Sequence, residues 1–153
     1  MPTKNSRLAD FLPYVLAITS NALSGRIADE YRLRFGLRIP EWRIMAVLGD
    51  ARALTQRDLV SATLMDKVAV NRACKVLEKR GLVARSPNDR DGRSHHLELT
   101  TAGRTLHEEV MPMTEEMYER IFVDITAQER TQLMALLARI RKGVAKVDEV
   151  GGA

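Results

Sequence analysis

Three polar side chains, Asn71, Arg72 and Lys75, stand close together in the run KVAVNRACKVLEKR. An asparagine amide can pair bidentately with the edge of adenine, and arginine or lysine can reach guanine or a phosphate oxygen. Two more cations, Arg90 and Arg93, lie in SPNDRDGRSHHLELT, where Pro, Asn-Asp and Gly mark a tight turn before an alternating strand. Arginine is the side chain that a narrow, electronegative minor groove attracts. Asp89 and Asp91 flank these cations and can pair with one of them, which leaves Arg90 as the expected exposed one. This is recognition chemistry. The chain carries no phosphate-cradling glycine loop, nucleophile elbow, paired-acid motif or metal signature, so no catalytic residue is named and no enzyme is expected. His95 and His96 are strand neighbours facing opposite sides, which disfavours a shared metal, and no cofactor is expected.

These side chains need elements to hold them. Asp66 is placed as N-cap of a helix over KVAVNRACKVLEKR, closed by Gly81. Helical spacing puts Val70, Ala73, Cys74 and Leu77 on one stripe. Lys67, Val68, Ala69, Asn71, Arg72 and Lys75 remain on the other face, short-sided enough for close backbone approach and carrying a few long donors. Thr55 and Gln56 open the preceding short helix, TQRDLVSATL, where Thr55 and Asp58 resemble a capping box weakened by the short Asp. LVARS and SHHLELT flank the charged turn as antiparallel strands, with Leu97 and Leu99 toward a core. Ahead of these, apolar residues from Leu8 to Phe35 recur at helical spacing, with Pro13 tolerable only near the start or at a kink and Gly36 at the end. PEWRIMAVLGD follows as a short helix. Thr100 opens a long helix with Gly103 in its first turn and Pro112 inside. Thr126 and Glu129 open the last one, with a stripe of Leu133, Leu136, Leu137, Ile140 and Val144. The tail from Asp148 is expected to fray.

The charge distribution agrees with a polyanion partner. In 153 residues there are 24 basic and 20 acidic side chains, and residues 55–96 carry 9 and 5 of them while residues 97–153 carry 7 and 10. The basic segment is the one that ends in the hairpin; the alternative is a merely solvated surface. The composition is that of a globular domain, with a single cysteine that cannot form an internal disulfide. No run reads as a signal sequence or a membrane span, so the expected location is cytoplasmic, with no membrane partner.

Two short helices followed by a hairpin make a winged helix-turn-helix. The expected fold class is mainly α with a two-stranded β-hairpin wing, flanked by long dimerisation helices. Residues 36–100 form the DNA-binding lobe, 1–35 and 101–150 the dimerisation helices, and 148–153 a frayed tail. The terminal stripes have too little to pack against within one winged domain, so a second copy is their destination; the alternative is a monomer whose end helices fold back.

The stretch LVSATLMDKVAVNRACKVLEKRGLVARSPNDRDGRSHHLELTTAG resembles the DNA-binding core of the MarR family of bacterial transcription regulators. It shows the Leu-Glu-x-x-Gly-Leu-Val exit, the Asp-x-Arg-Asp-x-Arg wing and the Leu-Thr-x-x-Gly helix opening. The likeness is specific over residues 55–103 and rests on layout elsewhere. One departure is Asn88, where the wing pattern begins with Asp and would supply a bracing ion pair. The resemblance implies a homodimer that binds a pseudo-palindromic double-stranded DNA site, most often as a repressor. It further implies release by a small anionic or aromatic effector, such as an aromatic acid, a phenol or its acyl thioester, held between the dimerisation helices and the lobe. Trp42 and Arg43 fall in the matching region, where an Arg beside a ring could hold a carboxylate; the alternative is a core Trp and a surface Arg. Two other readings stand beside this one: a regulator switched by oxidation of Cys74, disfavoured by its place on the apolar stripe, and a winged helix used only for protein contacts.

Overall fold

The computed structural model describes residues 7–88, 90 and 92–152. Its elements, in order, are α1 (Leu12–Phe35), α2 (Ile39–Asp50), α3 (Gln56–Thr63), α4 (Lys67–Lys79), β1 (Val83–Pro87), β2 (His95–Leu99), α5 (Thr101–Ile121) and α6 (Ala127–Gly151). They divide into two compact units, residues 1–114 and 115–153.

In the first unit, local chemistry sets most boundaries. The helix expected from Leu8 begins instead at Leu12, with Phe11 extended and Pro13 in the first turn. Proline supplies no N–H to continue the ladder backwards and is tolerated only in a helix's first turn, so Leu8–Phe11 forms a separate turn closed by the Phe11 N–H on the Leu8 carbonyl at 3.1 Å. Gly36 ends α1 with φ 64°, and its N–H bonds the Arg32 carbonyl. At α3 the short Asp58 suffices: its carboxylate accepts the Thr55 N–H at 3.0 Å, and its own N–H donates to Thr55 Oγ1 at 3.1 Å. Those bonds to the charged form hold the Asp58 carboxyl below its usual range. Asp66 caps α4 by accepting the Ala69 N–H at 2.8 Å. Gly81, with φ 73°, turns the chain from α4 into β1 while the Leu82 N–H bonds back to the Leu77 carbonyl at 2.9 Å.

β1 and β2 pair antiparallel in the register Val83 with Leu99 and Arg85 with Leu97. Leu54 adds a single-residue bridge to Leu97, through bonds of 3.0 and 2.7 Å, so the hairpin is tied to the segment ahead of α3. The core of this unit gathers Leu37, Ile44, Met45, Leu48, Leu59, Val70, Cys74, Leu77 and Leu97, all fully buried. Leu97 and Leu99 face inward, as the alternation predicts.

The second unit contains the end of α5 and all of α6. Thr126 and Glu129 close a capping box at 3.0 and 3.1 Å, which holds the Glu129 carboxyl below its usual range. Arg130 secures the turn between the helices: it bonds both Glu119 oxygens at 3.1 Å, the Phe122 carbonyl at 2.7 Å and the Ile125 carbonyl at 3.0 Å, and lies over the Tyr118 ring at 4.9 Å. The tail expected to fray from Asp148 is helical as far as Gly151, and the Asp148 carbonyl accepts the Gly152 N–H. Helical propagation needs no packing once the preceding turns are formed.

Candidate nucleic-acid interface

α4 has the two faces that its spacing demands. Val70, Ala73, Cys74 and Leu77 are buried, whereas Lys67, Val68, Arg72 and Lys75 are exposed and Ala69 and Asn71 are half-buried. At its N-terminal end, Gln56 Nε2 lies 3.4 Å from Asn71 Oδ1. That long bond holds the Asn71 carbonyl oxygen toward α3 and leaves the amide N–H groups free to donate outward.

Between the starts of α3 and α4 and the hairpin lies an open hollow of about 610 Å³, lined by Thr55, Gln56, Arg57, Lys67, Asn71, Arg85, Asn88, Arg93, Ser94 and His95. Four of these side chains are cationic, although Arg85 is shared with Glu78 through a bond of 2.6 Å. The N-terminal N–H groups of α3 and α4 add partial positive charge to the same region. A phosphodiester backbone is the kind of anion such a wall fits. Of the residues that spacing singles out, the fold brings Thr55, Gln56, Lys67, Asn71 and Arg93 to this hollow. Val68, Ala69, Arg72 and Lys75 lie along α4 outside its lining, and Arg90 stands exposed at the hairpin tip. Arg57, Arg85 and His95 join the wall without having been anticipated. Arg57 had a signal: it follows Gln56 in the first turn of α3. Arg85 and His95 are register facts that a motif does not reveal.

At the tip, Asn88 replaces an ion pair by hydrogen bonds. Its Nδ2 donates to Ser94 Oγ at 2.9 Å, its N–H to the Ser94 carbonyl at 3.2 Å, and its Oδ1 accepts the Arg90 N–H at 3.1 Å. The expected pairing of Asp89 or Asp91 with an arginine lies outside the described residues.

The two residues expected at an effector site are not brought together. Trp42 is 8% exposed and packed between Tyr31, at 6.1 Å, and His107, at 5.5 Å between ring centroids. Arg43 is exposed, with its guanidinium 3.4 Å from Ser24 Oγ on α1. Consecutive helical residues point about 100° apart, so one of the pair enters the core and the other leaves it. A separate crevice of about 480 Å³ opens between α1 and the start of α2, walled by Gly25, Ala28, Asp29, Arg32, Leu37, Arg38, Ile39 and Pro40. Cys74 is fully buried, and burial pushes its thiol up to about 11. Among the described residues, no group of three His, Cys, Asp or Glu side chains could hold a metal, and no helix is long and apolar enough to cross a membrane.

A capped helix presenting donors from a three-helix lobe, followed by an arginine-tipped hairpin, defines a winged helix-turn-helix. A MarR family model matches residues 35–94, which span α2 to the hairpin. The homoprotocatechuate degradative operon repressor of Escherichia coli is 27% identical over 120 residues, covering 78% of this chain and 81% of that one. Among solved structures, a MarR/EmrR family transcriptional regulator from Acinetobacter sp. ADP1 is 25% identical, with a TM-score of 0.85 over 92% of this chain and 99% of that one. A probable transcriptional regulator from Pseudomonas aeruginosa is 29% identical, with a TM-score of 0.71 over 88% and 99%. Over its winged lobe the chain is thus similar to transcriptional regulators of the MarR family.

Proposed function

We propose that the chain is a homodimeric repressor that binds a pseudo-palindromic duplex through α4 and the hairpin and is released by a small anionic or aromatic effector. The observation that carries this reading is the convergence of Lys67 and Asn71 from the start of α4 and Arg93 from the hairpin on one hollow, with Arg72 and Lys75 exposed further along the same helix. A module used only for protein contacts would need neither. In this reading Asn71 and Arg72 read base edges in the major groove, Lys67, Lys75 and Arg57 bind phosphates, and Arg90 and Arg93 extend from the hairpin to the neighbouring groove.

Support for a second copy comes from α6, in which no residue is buried: Leu133, Leu136, Ile140 and Val144 are 42%, 51%, 42% and 58% exposed. A helix with such a stripe buries it against a partner in a stable protein. The burial and raised pKa of Cys74 count against switching by thiol oxidation. For the effector, the crevice between α1 and α2 is the better site than Trp42, because Arg38 stands at an open wall and Arg32, paired with Asp29 at 2.9 Å, can exchange that partner for a ligand carboxylate. The Escherichia coli relative named for a homoprotocatechuate degradative operon makes aromatic acids the first compounds to screen.

The test is binding to duplexes selected from a random pool, read across a salt series. Affinity should fall steeply with salt, and Arg72→Ala and Arg90→Ala should each weaken it. Unchanged binding in both variants would remove the assigned roles. An effector should raise the melting temperature by mass action and weaken DNA binding together.

A further inference from the structure

The corner where α4 passes into β1 is held from two sides by helices that the dimer reading assigns to the subunit interface. From α1, the Phe35 and Gly36 carbonyls accept the Arg80 guanidinium, with NH2 at 3.0 Å and NH1 at 3.1 Å. From the residue just ahead of α5, Thr100 Oγ1 donates to the Gly81 carbonyl at 2.6 Å, and the Thr100 N–H donates to the Leu82 carbonyl at 3.0 Å. The last carbonyls of a helix have no partner within it and carry the negative end of its dipole. Arg80, whose backbone is the C-cap of α4, therefore answers a need of α1 with its side chain. A planar fork that spans two carbonyls fixes direction as well as distance, which a single point donor does not.

We propose that Arg80 is a positioning residue that ties the recognition helix and the wing to the end of α1, so that the spacing between the two recognition helices of a dimer is set at this corner. This rests on the reading of the chain as a DNA-binding dimer. Arg80 touches no base in this role; it acts through the orientation of α4. A dimer engages its second half-site at an effective concentration that is highest when the two lobes are held at the matching separation, and that falls as the lobes loosen. Freeing the α4 corner therefore lowers the gain from the second half-site while leaving the contacts of one lobe with one half-site intact.

The test uses the full-length dimer, a duplex selected by the wild type from a random pool, a duplex carrying one of its half-sites, and a series in which the centre is lengthened by single base pairs. Arg80→Ala should lose about tenfold in affinity for the full site, bind the single half-site within about twofold of wild type, and discriminate less between centre lengths. Arg80→Lys, which keeps the charge without the fork, should recover part of the loss and serves as the second variant if Arg80→Ala does not fold. Light scattering and circular dichroism establish that the variants compared are folded dimers. Equal losses on full and half sites would assign Arg80 to fold maintenance and overturn the proposal, as would an unchanged dependence on centre length. A wild-type protein that bound neither duplex would overturn the DNA reading itself, and the role of Arg80 with it.

Discussion

Replacing Gly103 with alanine sets two effects of opposite sign against each other. Gly103 is buried in the first turn of α5. Alanine there gains about 1 kcal/mol of helix propensity, so on local grounds the change stabilises. The space is already taken: an added Cβ would overlap the Leu82 carbonyl oxygen and stand 3.0 Å from the carbonyl carbon. That obstacle is backbone, and it is pinned by the Thr100 N–H at 3.0 Å, so it cannot swing aside as a long side chain would. Overpacking costs about 1–3 kcal/mol. Displacing the Leu82 carbonyl forfeits its hydrogen bond as well, worth about 1 kcal/mol net. The steric and hydrogen-bond losses win, and Gly103→Ala should destabilise by about 1–3 kcal/mol. For a chain of this size that is a fall in melting temperature of about 3–10 °C. The comparison is made by thermal unfolding at one protein concentration, since association shifts the midpoint. Gly25→Ala supplies the control: Gly25 lies inside α1, nothing stands within 4 Å of its added Cβ, and the same change there should be neutral or raise the midpoint. A Gly103→Ala protein as stable as wild type would refute the claim that the α5 entrance and the α4 corner are in rigid contact.

Alkaline pH should weaken the fold through two buried groups. Burial raises the Cys74 thiol from 9.0 to about 11 and Tyr31 from 10.0 to about 12. The native state thus keeps protons that the unfolded chain releases, so stability is intact below about pH 9 and declines as pH rises from there; urea midpoints across that range test it, and Cys74→Ala should flatten the lower part of the decline. Asn88→Ala removes two of the three bonds that Asn88 makes at the wing tip and should cost about three- to tenfold in DNA affinity with little change in melting temperature. An equal effect on both measurements would show that the tip stabilises the lobe rather than presenting Arg90. Leu136→Asp together with Ile140→Asp places charge in the exposed stripe of α6 and should yield a monomer by light scattering. Retention of the dimer mass would send the stripe to some other partner.

The recognition helix was legible because period, caps and charge agree over a single run. Asp66, the Val70–Leu77 stripe and Gly81 each point to the same boundaries, and the structure keeps them. The hairpin was legible for a similar reason, since turn residues and the Leu97–Leu99 alternation converge. What sequence reading missed depends on tertiary placement. The bridge from Leu54 to Leu97 involves one residue on its side, and one residue has no period. Arg85 and His95 reach the hollow through strand register, which follows from pairing, not from local composition. Trp42 and Arg43 were joined by adjacency in sequence, and helix geometry separates what adjacency joins. The start of α1 was placed at Leu8 because apolar spacing continues through Phe11, but Pro13 governs the backbone whatever the spacing of side chains.

Asn88 shows how a departure from a family pattern can be informative once its contacts are known. An Asp at this position would brace the wing by an ion pair, and exposed ion pairs weaken as salt is added. The Asn88 amide makes the same kind of brace with neutral partners, Ser94 and the Arg90 N–H. Salt should then leave the Asn88 brace in place while it weakens DNA affinity through displaced counterions. The plot of log affinity against log salt for the wild type is the baseline for this brace. Asn88→Asp supplies a direct comparison: if it restores a salt-sensitive brace, the plot should acquire curvature that the wild type lacks. Identical plots for Asn88→Asp and the wild type would show that the side chain at this position does not set the salt response of the tip.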